Sequence, residues 1–201
     1  MLIEESEWIG KEILKIAKAG DKLLNIGSSS LKFRTKIQPH IEINIFKPLK
    51  KNNIEVIHTD IVKEDGVDIV GDLTNQEFIN ELKEMKYDLI LCSNLLEHLE
   101  ERQPVADAIF QILSKDSKAI ISVPYNYPYH LDPIDTMYRP NPNELHQLFI
   151  NTTLIKKQIV IGRSIQNSNL AINYWQKLKK TPIVFLKLIL RLFLPFYKPK
   201  I

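Results

Sequence analysis

Five short apolar runs recur along the first 125 residues, and between most of them lies a segment with helical spacing. The runs cover 22–26 (KLLNI), 55–60 (EVIHTD), 67–70 (VDIV), 87–92 (YDLILC) and 118–123 (KAIISV). Runs this short and this apolar are strands of a sheet buried on both faces. Trp8, Ile9, Ile13, Ile16 and Ala17 mark a helix over 4–19 that Gly20 ends. Thr74 is placed to cap a helix over 75–85, with Glu77 at the reciprocal position. Further helices are expected from about Leu95 and over 105–113, then a helix at 143–150 and a strand at 154–161. Strands alternating with helices predict an α/β fold: a mostly parallel sheet with helices on both faces. Residues 31–53, interrupted by Pro39 and Pro48, show no clear period.

Charge divides the chain unevenly. All 24 acidic residues lie at or before Glu144, whereas ten of the 27 basic ones follow it, so residues 1–144 carry −7 and the remainder +10. Such a basic end suits an anionic partner: nucleic acid, a membrane surface or an acidic protein face. The domain is expected to occupy 1–165 and a basic, apolar helical appendage 166–201. Hydrophobic residues at 44% and charged residues at 25% exclude a disordered chain, a coiled coil and a collagen-like fibre. Cys92 is alone, which excludes an internal disulfide and a zinc finger and suits a reducing compartment. The opening MLIEESEWIGKE is broken by charge, unlike a secretory signal, so a cytoplasmic location is expected.

In a parallel sheet, ligands sit at the carboxyl ends of the strands. Gly27 follows the first strand, Asp60 ends the second and Asp72 follows the third. Together they suit a nucleoside: a glycine for close approach, one acid for two ribose hydroxyls, another for an exocyclic amine. Taken singly, each is equally a turn residue or a solvated strand end. Gly27 and Asp60 stand 33 positions apart, against about 20 in a compact nucleotide-binding unit. Residues 37–50 are therefore expected to be an insertion near the site.

These residues resemble the class I S-adenosyl-L-methionine (SAM) methyltransferases. The stretch KLLNIGSS is similar to that family's first motif, Thr59-Asp60-Ile61 to its ribose-binding acid, and Val70-Gly71-Asp72-Leu73 to its adenine-side acid. YDLILCSNLLEHL (87–99) looks like its fourth-strand motif and Ile120–Pro124 like its fifth strand. The resemblance covers about 20–150 and implies a Rossmann-like sheet with SAM as cofactor. Asn25, Gly27, Ser28, Ser29, Asp60, Ile61, Asp72, Leu73, Ser93 and Asn94 would line the cofactor site. Ser29 stands where the family usually has a second glycine, so it must avoid or bear a positive φ. The loop lacks the G-x-G-x-x-G spacing of a dinucleotide site, which disfavours NAD.

Residues 124–143 hold five prolines, four tyrosines (Tyr125, Tyr127, Tyr129, Tyr138), His130, Asp132, Asp135 and Arg139. Loops of this length are more often functional than connective. By resemblance the segment looks like a substrate loop. His130 or His98 would act as general base for a hydroxyl acceptor, or less readily an amine. Arg139 would pair with a substrate anion or lock onto Asp135, and those four residues form the expected catalytic set. His130, Asp132 and Asp135 as metal ligands is a weaker reading because no second cluster accompanies them, and no metal is expected.

The acceptor is expected to be small or lipid-linked. Rival readings are a non-catalytic nucleoside- or partner-binding module on the same fold, and nucleic-acid modification. The latter is disfavoured because the basic tail carries aliphatics rather than interleaved aromatics. Residues 182–197 read PIVFLKLILRLFLPFY, with Lys187 and Arg191 near one helical stripe alongside Lys180 and Lys198. Pro195 limits that helix to about twelve residues, short of the ~20 needed to cross a bilayer. It suits lying in a membrane interface, with packing on the domain or in a homodimer as the alternatives. Full-length protein is expected to float with anionic liposomes while a chain ending at Lys180 does not; equal flotation of both, or of neither, removes the membrane role.

Overall fold

The computed structural model describes residues 1–130 and 134–162; the expected 166–201 appendage, the 182–197 helix and Asp132 lie outside the described residues. In chain order the elements are α1 (Ile3–Ile16), β1 (Lys22–Ile26), α2 (Pro39–Ile41), α3 (Lys47–Lys51), β2 (Glu55–Asp60), β3 (Ile69–Val70), α4 (Gln76–Glu84), β4 (Leu89–Ser93), α5 (Gln103–Ile112), β5 (Lys118–Ser122) and α6 (Pro142–Gln147). The strands form one five-stranded sheet in the order β3-β2-β1-β4-β5, parallel at every pairing. This is a Rossmann-like α/β fold.

Side-chain alternation along the strands builds the two outer layers. Leu23, Leu89 and Leu91 join Ile9 and Ile13 of α1 and Ile41, Ile45, Phe46 and Leu49 of the β1–β2 crossover. Leu24, Ile26, Ile57, Ile90 and Cys92 face the other way, onto Phe78, Ile79 and Leu82 of α4 and Val105, Ala108, Ile109 and Ile112 of α5. Helix α1 lies so close to the crossover that a Cβ on Gly10 would collide with the Asn44 carbonyl. No helix among the described residues is long and apolar enough to cross a membrane.

Several sequence expectations need correction. Residues 37–50 are not an insertion but part of the crossover itself, as Pro39–Ile41, a π-helical Glu42–Phe46 and Lys47–Lys51, and they bury Ile41, Ile45, Phe46 and Leu49. The cap of α4 is Asn75, whose side chain accepts from the amides of Glu77 and Phe78; Thr74 instead donates to Asp72. The helix expected from Leu95 is a single 3₁₀ turn, Leu96–His98. Residues 154–161 form no strand. Ile155 and Ile161 are 74% and 87% exposed, and a strand without a ladder partner gains nothing from its β-branched side chains.

Buried polar groups in the middle of the sheet are paired. The Asn25 amide of β1 meets Nδ1 of His58 on β2 at 3.0 Å, and the Phe46 ring sits edge-on to the imidazole at 4.8 Å. Burial, with the Arg34 and Lys50 charges adding to it, pushes the His58 imidazole down to about 3. The unfolded chain titrates at about 6.5, so between those values it takes up a proton that the folded protein refuses. His58 therefore contributes stability that is complete above about pH 6.5 and is lost as pH falls toward 3. Denaturant unfolding at pH 7 and pH 5 should show wild type losing about 2 kcal/mol more than His58→Gln; equal losses would remove this assignment.

Candidate functional site

The order β3-β2-β1-β4-β5 reverses direction between β1 and β4, and the crevice beyond their carboxyl ends is where this fold binds ligands. Gly27 leaves β1 at φ +66°, and a Cβ there would stand 3.1 Å from the Leu95 side chain, so Leu95, two residues beyond β4, lies directly over the glycine. The Ser28 amide donates to the Thr59 carbonyl at 3.1 Å, tying the loop to β2. Of the two outcomes open to it, Ser29 bears the positive angle rather than avoiding it, at φ +55°. Its amide donates to Asp60 Oδ2 at 2.8 Å, while Asp60 Oδ1 accepts from the Val62 amide at 3.2 Å.

Beneath this loop lies a residue that no sequence pattern marks out. Arg34 is 2% exposed. Its guanidinium donates to the carbonyls of Ser28 and Ser29 and, at 2.8 Å, to that of Gly66. Burial lowers its pKa, opposed by the charges of Glu42, Asp68, Asp60 and Asp65. Arg34 thus fixes the backbone that shapes the glycine loop without itself reaching the crevice.

The remaining expected cofactor residues divide by place. Ser93 ends β4 opposite Ser122 of β5, and Asn94 follows at φ +52°. Both sides of this edge meet Glu5 of α1, whose Oε1 accepts from Asn94 Nδ2 at 2.8 Å and from Ser122 Oγ at 2.7 Å. Glu5 was not among the expected residues. Asp72 is exposed, with Oδ1 accepting from the Thr74 amide and hydroxyl. Ile61 is exposed and Leu73 buried, and Asn25 is engaged by His58 inside the sheet. The Cys92 thiol is fully buried, which pushes its pKa up to about 12 and suits packing rather than nucleophilic attack.

Beside the glycine loop, the 3₁₀ turn and the segment after β5 are stitched into one cluster. The Glu97 carbonyl accepts from the Thr136 amide at 2.9 Å and from its hydroxyl at 2.8 Å, and Arg102 reaches both Thr136 and the Leu96 carbonyl. His98 Nδ1 contacts the Ile134 carbonyl. The His98 and His130 rings stand edge-on with centroids 5.4 Å apart, and Tyr127 meets His130 at 5.6 Å. His130 Nδ1 lies 2.9 Å from Asp135 Oδ2, and Arg139 Nη2 holds the same oxygen at 2.6 Å. Burial disfavours the ionised Asp135. Hydrogen bonds from Arg139 and from the backbone amides of His130 and Met137 outweigh that and hold its carboxyl well below the usual range. Arg139 is therefore engaged with Asp135 and with the Tyr127 and Tyr138 carbonyls.

Glu97 adds a further group. It is 1% exposed, burial raises its pKa, and one oxygen of Glu97, one nitrogen of His98 and one of His130 lie within 4.8 Å of each other. Sequence reasoning placed His98 and His130 in the expected catalytic set but did not select Glu97, whose place beside both rings depends on the fold.

The sequence matches no family model and no curated protein.

Chemically, the crevice offers a strained glycine loop and a carboxylate on one side, and two imidazoles with a buried carboxylate on the other. The strain is measurable. A non-glycine residue in the left-handed region costs about 1 kcal/mol, part of which glycine returns through unfolded-chain entropy. Ser29→Gly is expected to stabilise the protein by roughly 0.5–1 kcal/mol in denaturant unfolding; destabilisation would mean the Ser29 side chain matters more than its backbone.

Proposed function

We propose that the protein is a SAM-dependent methyltransferase acting on the hydroxyl of a small or membrane-associated acceptor. The observation that supports this most is the juxtaposition at the β1/β4 switch: Gly27 stands against Leu95, and three residues beyond Leu95 His98 opens the imidazole cluster. A nucleoside seat and a proton-handling seat would thus be neighbours on one edge of the sheet.

The residues suit the cofactor. An ionised carboxylate has about four acceptor sites, and the two backbone amides on Asp60 leave capacity for a ribose diol. Gly27, at φ +66°, has no side chain to hold a ligand away from the loop backbone. When bound, SAM supplies an electrophilic methyl whose bond to sulfur breaks as the bond to the acceptor oxygen forms, the electron pair returning to sulfur. The chain's part is alignment, exclusion of water and a place for the acceptor's proton. On this reading neutral His130 takes that proton, and Asp135, itself pinned by Arg139, orients the ring and stabilises its charged form. Tyr127 closes one side of the same cluster. The basic stretch beyond Glu144 and the apolar run 182–197 suit an acceptor presented at the cytoplasmic face of a membrane.

Isothermal titration with SAM tests the cofactor assignment. Asp60→Asn retains an oxygen for the Ser29 amide but loses the charge, and is expected to weaken binding at least tenfold with little change in melting temperature. Absence of binding to wild type, or unchanged affinity in the variant, would overturn the reading.

A further inference from the structure

We propose that Glu97, His98 and His130 form a binding site for one divalent first-row transition cation of the Zn²⁺ class. Two imidazoles and a carboxylate are the donor set that such ions take in open, three-ligand sites, and one that Ca²⁺, which prefers oxygen throughout, does not.

Three observations point to a ligand here. First, the donors converge: their ligating atoms lie within 4.8 Å of each other. Donors around an ion with bonds of ~2.1 Å stand roughly 3–3.4 Å apart, so the cluster needs to close by about 1.8 Å at most. Two of the three share one turn after β4, and the third comes from the segment after the neighbouring β5, so this closure moves one loop toward one turn.

Second, the rings are oriented from behind. A backbone carbonyl only accepts, so the contact with Ile134 places the His98 proton on Nδ1 and presents Nε2 to the cluster, where it stands 3.9 Å from Glu97 Oε1. The His130 ring rests on Asp135, which Arg139 and two backbone amides immobilise. A carbonyl or carboxylate behind each imidazole is the support that metal-binding histidines receive.

Third, Glu97 Oε2 is buried with no hydrogen-bond partner among the described residues. A buried carboxylate oxygen left in that state is costly, and a cation in the cluster answers it directly.

A three-ligand ion keeps at least one position open. This is where the inference rests on the proposed methyl transfer: the acceptor's oxygen would take that position, and the ion would make its hydroxyl more acidic. The imidazoles then serve as ligands, and the more acidic hydroxyl would release its proton to solvent water rather than to His130. Cation binding itself is independent of SAM.

The test is a Co²⁺ titration of the full chain, stripped with chelator, followed by visible absorption and then by displacement with Zn²⁺. Saturation at about one equivalent, with ligand-field bands that Zn²⁺ abolishes, is expected, together with a melting temperature raised by Zn²⁺. His98→Ala and His130→Ala should each weaken Co²⁺ at least tenfold, whereas His146→Ala, outside the cluster, should leave it unchanged. Either histidine variant decides the matter alone if the other fails to fold, and Glu97→Gln offers a third. Absence of saturable Co²⁺ binding by wild type, or undiminished binding in the folded cluster variants, would overturn the site. Because no SAM is present, a failed SAM titration leaves this result standing, and the reverse holds too.

Discussion

A sheet whose strands all run the same way cannot be closed by short turns, and it cannot leave a face in water. Both demands are visible in this chain. Each crossover must carry an apolar layer long enough to return to the starting edge, and the layers must go on opposite sides. Leu23 and Leu24 illustrate the consequence: neighbours in sequence, they belong to different hydrophobic clusters. The same geometry sends every strand's carboxyl end to one edge. Gly27, Asp60, Asn94 and Pro124 share that edge because of the topology, before any chemistry is considered.

What distinguishes that edge is buried polarity. Elsewhere the interior is mainly apolar, with Ser6 and the Asn25–His58 pair among the buried polar groups. Near the carboxyl ends lie Arg34, Glu97 and Asp135, all charged residues and all buried. Arg34 donates to backbone carbonyls and so holds the glycine loop in shape, while Asp135 ties the His130 and Met137 amides to the Arg139 guanidinium. Groups this costly to bury are retained where a fixed geometry is needed. The glycine loop packs against Leu95, and Ile134 and Thr136 bond to the 3₁₀ turn that follows it, which together frame the site.

Much of this frame was legible in the sequence. The strand runs beginning at Lys22, Glu55 and Lys118 coincide with observed strands to within a residue, because period and flanking residues agree there. Asp60 and Gly27 stand at the strand ends where the pattern put them, and Ser29 carries a positive φ, one of the two outcomes open to it. The crossover was opaque for a physical reason. Phe33–Ile37 and Glu42–Phe46 are π-helical, so their apolar residues do not recur at 3.6, and Pro39 and Pro48 sit in first helical turns rather than as breakers. Arg34, hidden in that stretch, could not be recognised as a support of the glycine loop. Glu5 and Glu97 were missed for another reason: their partners lie 89 and 39 positions away, at Asn94 and Thr136, and only the topology brings them together. Local pattern also overstated the helix from Leu95 and the strand at 154–161, whose residues lack the tertiary partner that would stabilise them.

The register of β1 has a consequence for how the chain comes into being. Leu23 pairs with Val56 on one side and with Leu89 on the other, 33 and 66 positions downstream. At roughly 5–20 residues per second, a ribosome releases the second partner several seconds after the first strand. Throughout that interval the strand destined for the centre of the sheet stands with an open edge of the kind that recruits foreign strands. The strand best protected in the finished molecule is the one longest exposed during its synthesis.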